Sequence, residues 1–195
     1  MHVSKQMFAD FEGYWRRLQE TIAAAYPYKA GIPTRKQFNP MAVPKLLPNL
    51  YLIEYECEKA LALKLRLTGT ALDNAIQDLN TDQNLLDFYA DEERDFFRSV
   101  HQHMREQPCG MVVRRHSALS SGTACVVTSK CMPLADRHEN IKYALGIMGA
   151  DLLFSTEARE RAVIAGATIT DFFYLDLGYG VPENTYDWTQ SSLAS

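Results

Sequence analysis

Cysteine is scarce and unpaired in this sequence. Its four copies, Cys57, Cys109, Cys125 and Cys131, form no C-x-x-C pair, so the spacing of a zinc or dithiol site is missing. On one strand, Cys125 and Cys131 would stand roughly 20 Å apart, too far to share a metal. Reduced thiols in a cytoplasmic protein are expected, with no metal. Long apolar runs are also lacking. Nothing approaches the roughly 20 residues that span a bilayer, and the opening MHVSKQMFADFEGYWRR has no signal-peptide core, so no membrane partner is expected. There is no excess of basic charge: the net charge is -4. That argues against nucleic acid, whose phosphates need concentrated Lys and Arg. Catalytic signatures are missing too, with no G-x-S-x-G elbow, P-loop or H-E-x-x-H. No enzyme is expected.

What is present suits one domain with extensions. The chain has 195 residues, 47% hydrophobic and 23% charged, enough to bury a core without staples. The clearest stretch is Tyr51 to Thr70, two β-runs joined by a charged turn. Leu61, Leu63, Leu65 and Leu67 alternate with Ala62, Lys64, Arg66 and Thr68, a period of two that buries a leucine face. Tyr51, Ile53 and Tyr55 share a face and read as core. Upstream, residues 4–26 read as a helix with Ser4 as N-cap and Pro27 as stop. Phe11, Trp15, Leu18, Ile22 and Ala25 recur every three or four residues as a narrow seam. Two readings stand: the seam packs on the chain's own sheet, or it pairs helices in a homodimer. Between helix and hairpin, Pro33, Pro40, Pro44 and Pro48 make an extended linker. Its Arg35, Lys36 and Lys45 are expected in solvent, with a phosphate or acidic-partner contact as the alternative.

Downstream, a short helix is expected over residues 71–76, turns through 77–84, and a helical turn at Leu85 to Tyr89. A longer helix starts at an Asp91 cap and runs to about Gln107, with Phe96, Phe97, Val100 and Met104 in one stripe. Strands are expected next, at residues 111–118, 123–134 and 141–153, as an antiparallel meander. A helix over 156–165 and an extended stretch over 167–178 come after them. Phe172, Phe173, Tyr174 and Leu175 in that stretch need cover, and a frayed tail is expected from Gly180. The expected divisions are 1–27, a helix; 28–48, a linker; 49–154, the central domain; and 155–195, a C-terminal extension.

The order strand, strand, small helices, longer helix, three strands is that of a PAS domain. Particular residues sharpen the likeness: Tyr14-Trp15, Pro33-x-Arg35, Pro40, Leu47-Pro48-Asn49-Leu50-Tyr51-Leu52, Leu65-Arg66-Leu67-Thr68-Gly69-Thr70, and Met132-Pro133-Leu134 followed by Gly146. Over residues 10 to 180 the chain resembles a bacterial family of short, stand-alone PAS proteins. It departs at residues 77 to 84, where Asp78-Leu79-Asn80 replaces a common glycine. The resemblance implies an α+β fold: a five-stranded antiparallel sheet with helices on one face, an N-terminal helix and a C-terminal extension. It also implies a sensory, signal-transducing module that holds a small ligand between the long helix and the inner sheet face. With no effector domain attached, it would act in trans on a signalling partner. The pocket candidates are Leu63, Leu65, Leu67, Phe97, Val100, His101, Met104 and Val126. A ligand-free interaction module is the alternative.

The cofactor is left unassigned. Haem needs a pocket-facing histidine, and His101 and His103 each fall roughly 80° off the apolar stripe. Both are expected near solvent, His101 being the better candidate. Photoactive flavin needs a reactive cysteine just before the long helix, and none lies between Cys57 and Cys109. Arg66 reads as an anion contact or as an ion pair with an acid of the N-terminal helix or linker. Arg114-Arg115-His116 reads as a solvated strand face, and Asp91-Glu92-Glu93-Asp95 as a helix start.

Overall fold

Helix α1 spans Lys5–Ala25. β1 (Leu50–Cys57) and β2 (Leu61–Thr68) form the hairpin, and α2 (Thr70–Ala75) comes directly after it. α3 (Asp91–Glu106) precedes β3 (Cys109–Leu119), β4 (Ala124–Ala135), β5 (Ile141–Leu152) and β6 (Ile164–Asp176). Single 3-10 turns lie at Pro40–Ala42, Leu47–Asn49 and Leu85–Phe88. The computed structural model describes residues 5–25, 31–76, 78–119, 122–152 and 164–183.

All neighbouring strands run antiparallel, in the order β2-β1-β5-β4-β3-β6. Among the described residues the sheet therefore has six strands, not five. The sixth comes from the C-terminal extension, where β6 pairs with β3 from Cys109↔Asp176 to Leu119↔Ile164. Phe172 meets the expected need for cover by entering the core at 5% exposure. Most of the helix expected at 156–165 lies outside the described residues, and its last two positions belong to β6.

Helices cover both faces of the sheet, not one. On the first face, α3 sets Phe96, Phe97, Val100 and Met104 against Ile53, Leu63, Leu65, Val113 and Val127. On the second, α1 and the linker set Phe11, Tyr14, Trp15, Phe38, Val43 and Leu46 against Leu50, Leu52, Met132, Leu134, Leu145 and Ile147. Double coverage explains why Leu50 to Ile53, Cys131 to Ala135 and Ala144 to Ala150 are buried at every position. Strands buried on both faces have no polar side to alternate with.

This packing decides the seam. Phe11 and Trp15 are at most 1% exposed within the single chain, so of the expected dimer seam Phe11, Trp15, Leu18 and Ile22, the first two are corrected: they face the chain's own sheet, with Leu18 packed partly buried beside them, while Ile22 is half-buried and belongs to neither core cluster. Trp15 Nε1 donates to the Pro133 carbonyl at 3.2 Å, and Lys130 reaches across from β4 to the Glu12 carboxylate. The linker is not simply solvated either. Arg35 N–H donates to Ala135 O and Ala135 N–H to Pro33 O, both at 2.8 Å.

The leucine alternation breaks once. Leu52 pairs with Leu67 but Ile53 pairs with Leu65, so Arg66 is an extra residue in β2. A bulge of one residue turns the rest of the strand to the other face. Leu67 thus leaves the inner face and packs in the α1 cluster.

Candidate functional site

Acids at the start of α3 suit the positive end of the helix dipole, although the helix begins at Asp91 with Ala90 as the flanking residue. From there the apolar stripe lies on the sheet. Tyr89 stacks on Phe97 at 4.3 Å between centroids, Phe96 meets Phe97 edge-on at 5.2 Å, and Phe172 meets Phe96 at 5.0 Å. Leu63, Leu65, Phe97, Val100, His101 and Met104 all come together in this space at 2% exposure or less. Val126 does not. It is half-buried on the opposite face, and its neighbour Val127 takes the inner position.

His101 is corrected from its expected place near solvent. It is 1% exposed, with Nδ1 2.9 Å from the Tyr55 hydroxyl, a hydrogen bond whose direction depends on the tautomer. Burial pushes its imidazole down to about 3. The folded state therefore keeps His101 neutral while the unfolded chain protonates near pH 6.5. Between pH 6.5 and about 3 the unfolded state binds the extra proton, so stability falls as pH falls through that window. The loss is expected to reach about 2 kcal/mol by pH 5, at ~1.4 kcal/mol per pH unit. Urea titrations at pH 7 and 5 should show this drop shrinking in His101→Gln. An equal drop in both proteins would mean that His101 is not the group responsible. His103 is half-buried, 2.9 Å from the Tyr174 hydroxyl.

Two further polar clusters lie under α3. Tyr51 Oη and Ser129 Oγ are hydrogen-bonded at 2.8 Å. At the helix start, Arg115 Nη1 stands 3.8 Å from Glu93 Oε2, with side chains only 7% and 15% exposed. The Arg115 guanidinium lies over the Tyr89 and Phe97 rings, 5.2 and 5.7 Å from their centroids. Burial raises the Glu93 carboxyl above its ordinary range, and the Arg115 charge offsets this only in part. Glu93 Oε1, Arg115 Nε and Ser117 Oγ are buried without a hydrogen-bond partner.

These are the residues that sequence reasoning missed. Arg114 and His116 do face solvent, but Arg115 between them is 6% exposed, which corrects the solvated reading of that triplet. The available signal was parity, since Arg115 falls in step with Met111 and Val113.

Arg66 offers no free anion contact. Its guanidinium donates to Glu54 at 2.6 Å, Glu56 at 3.0 Å and Asp82. The ion-pair reading gives the right interaction, but its partners lie on β1 and in the loop after α2, not on α1 or the linker. Arg35 and Lys36 line a cleft of about 510 Å³ with Arg137, His138 and Lys142. The four cysteines are free thiols, Cys57 alone being exposed. Among the described residues no three His, Cys, Asp or Glu side chains are grouped to hold a metal ion, and no helix is long and apolar enough to cross a membrane.

An antiparallel sheet with a long helix over one face and aromatic side chains packed between them is the arrangement of a PAS domain. The chain belongs to the PAS domain family, whose model matches residues 3–149. No curated protein matches it. The matched span ends inside β5, so β6 lies beyond it.

Proposed function

We propose that this PAS domain is a non-catalytic, cytoplasmic sensor that takes a small polar ligand at the N-terminal end of α3 and signals to a protein partner. The unpaired trio Glu93 Oε1, Arg115 Nε and Ser117 Oγ carries the reading. A buried polar group without a partner costs about 1–3 kcal/mol, more when charged, so three in one region point to an occupant. The pair is neutral overall. Its complement is an uncharged or zwitterionic molecule with an acceptor for Arg115 Nε and a donor for Glu93 Oε1. Tyr89 and Phe97 would wall the site. Occupancy would favour one packing of α3 over another and shift the population of states seen by the partner.

Native mass spectrometry of freshly purified protein tests this. The wild type is expected to carry a discrete extra mass, absent from Arg115→Met that keeps its circular dichroism spectrum. The sensor reading fails if every preparation is bare and no small polar metabolite raises the melting temperature. The second reading, a ligand-free interaction module, would then stand, favoured by the aromatic side chains that fill the centre of the α3 interface.

A further inference from the structure

The chain as a whole is acidic, with a net charge of -4, yet cations gather at one place on it. Arg35, Lys36, Arg137 and Lys142 line the cleft of about 510 Å³ between the linker and the β4–β5 turn. Among the described residues Asp136 is the one acid in its wall. That carboxylate is engaged in its own turn, where Oδ1 accepts from the backbone N–H of His138 at 2.7 Å and of Asn140 at 3.1 Å. Lys142 shares its charge with Glu54 on β1 at 2.8 Å. Among the described residues the other three cations pair with no carboxylate. Like charges lining one cleft repel each other, and a concave wall focuses their field inward.

The two walls are tied together. Arg35 N–H donates to Ala135 O and Ala135 N–H to Pro33 O, a bridge that clamps the linker to the end of β4. Asp136 N–H donates to Asn140 O at 2.9 Å and closes the turn. The guanidinium groups are held as well. That of Arg35 lies over the buried Phe38 ring, 5.4 Å from its centroid. Arg137 Nε donates to His138 Nε2 at 2.9 Å, which leaves its two Nη groups to donate elsewhere. Donors fixed before binding lose little freedom when a ligand arrives.

We infer that this cleft binds a small molecule through a polyphosphate chain. Guanidinium groups match phosphate oxygens two at a time, and a lysine adds a point charge. Three cations without carboxylate partners call for a ligand with more than one negative charge. The volume falls within the roughly 300–1,000 Å³ of small-molecule pockets, more than a single phosphate fills. The half-buried Tyr143 ring lines the same cleft, a surface on which a base attached to the chain would stack. The inference is independent of the ligand proposed at Arg115, with which this cleft shares no residue.

Isothermal titration calorimetry of the full chain at roughly 0.15 M salt tests it, with tripolyphosphate, ATP and inorganic phosphate as probes. Tripolyphosphate and ATP are expected to bind, and inorganic phosphate about tenfold more weakly or worse. Tighter binding of ATP would assign part of the site to the nucleoside, and equal affinities would assign it to the phosphates alone. Arg137→Gln should raise the Kd about tenfold or more, as loss of a charge-assisted hydrogen bond does. Lys36→Gln, exposed like Arg137, is the second variant should the first not fold. Lys45→Gln, an exposed lysine of the same linker that does not line the cleft, should leave the Kd unchanged. The inference is overturned if neither tripolyphosphate nor ATP binds, or if inorganic phosphate binds as tightly as they do. A Kd that neither cleft variant moves overturns it too, as does one that Lys45→Gln raises equally.

Discussion

Trp15→Ala is expected to destabilise the protein by about 4 kcal/mol, the range seen when a large buried aromatic side chain is truncated. Trp15 is 1% exposed, sits among Phe11, Leu134 and other residues of the α1-side core, and donates its indole N–H to Pro133 O. Truncation would leave a cavity and strip that carbonyl of its donor. Urea unfolding monitored by circular dichroism measures the cost. The same experiment separates the two roles considered for the seam. A residue that paired helices between copies would leave monomer stability nearly intact and change only the association constant. A loss below about 1 kcal/mol would mean that α1 lies outside the cooperative fold.

Periodicity makes the hairpin and α3 legible, because both patterns are local. The faces they choose are not local. Val126 and Val127 are equally good strand residues, and which one enters the core depends on the register of β4 against β3 and β5. His101 lies off the stripe of α3, but a sheet is wider than a stripe, and Tyr55 on β1 reaches it. Alternation alone puts Leu67 on the inner face, and the extra residue Arg66 cannot be seen in a pattern of two. Arg115 shows the opposite failure. Its charge suggests solvent, while its parity with Met111 and Val113 places it inside. β6 is legible as an apolar stretch needing cover, but its pairing with β3 joins segments distant in the chain, as Val113↔Phe172, 59 residues apart, does.

The two cores give the fold a division of labour. The α1 side is fixed by apolar packing, with Glu12–Lys130 and Trp15 as its polar ties. The α3 side holds the buried polar groups His101, Tyr55, Arg115, Glu93 and Ser117. Polar groups in a low-dielectric interior respond strongly to a partner or a proton. A change in stability or ligand state is therefore expected to begin on the α3 side, with the α1 side as the fixed frame.

Gly69→Ala is expected to cost about 3 kcal/mol or more, at the upper end for overpacking. Backbone strain is not the reason, because Gly69 sits at φ -85 and ψ 151, open to any residue. Space is the reason. A Cβ at Gly69 would run into the backbone carbonyls of Leu47 and Pro48, in the 3-10 turn that leads into β1. Those atoms cannot swing aside as a side-chain tip can. Gly69 N–H also donates to Leu50 O at 2.8 Å, fastening the end of the hairpin to its beginning. Adding the methyl would part this junction or tilt α2. Gly122→Ala is the contrast: φ is +81 and nothing lies within 4 Å, so only the left-handed backbone resists, at about 1 kcal/mol. Urea titration of both variants should rank them in that order. The reverse order would show that dihedral preference, not crowding, governs these positions. The expected order would make Leu47-Pro48-Asn49 and Thr68-Gly69-Thr70, separate in sequence, the two halves of one contact.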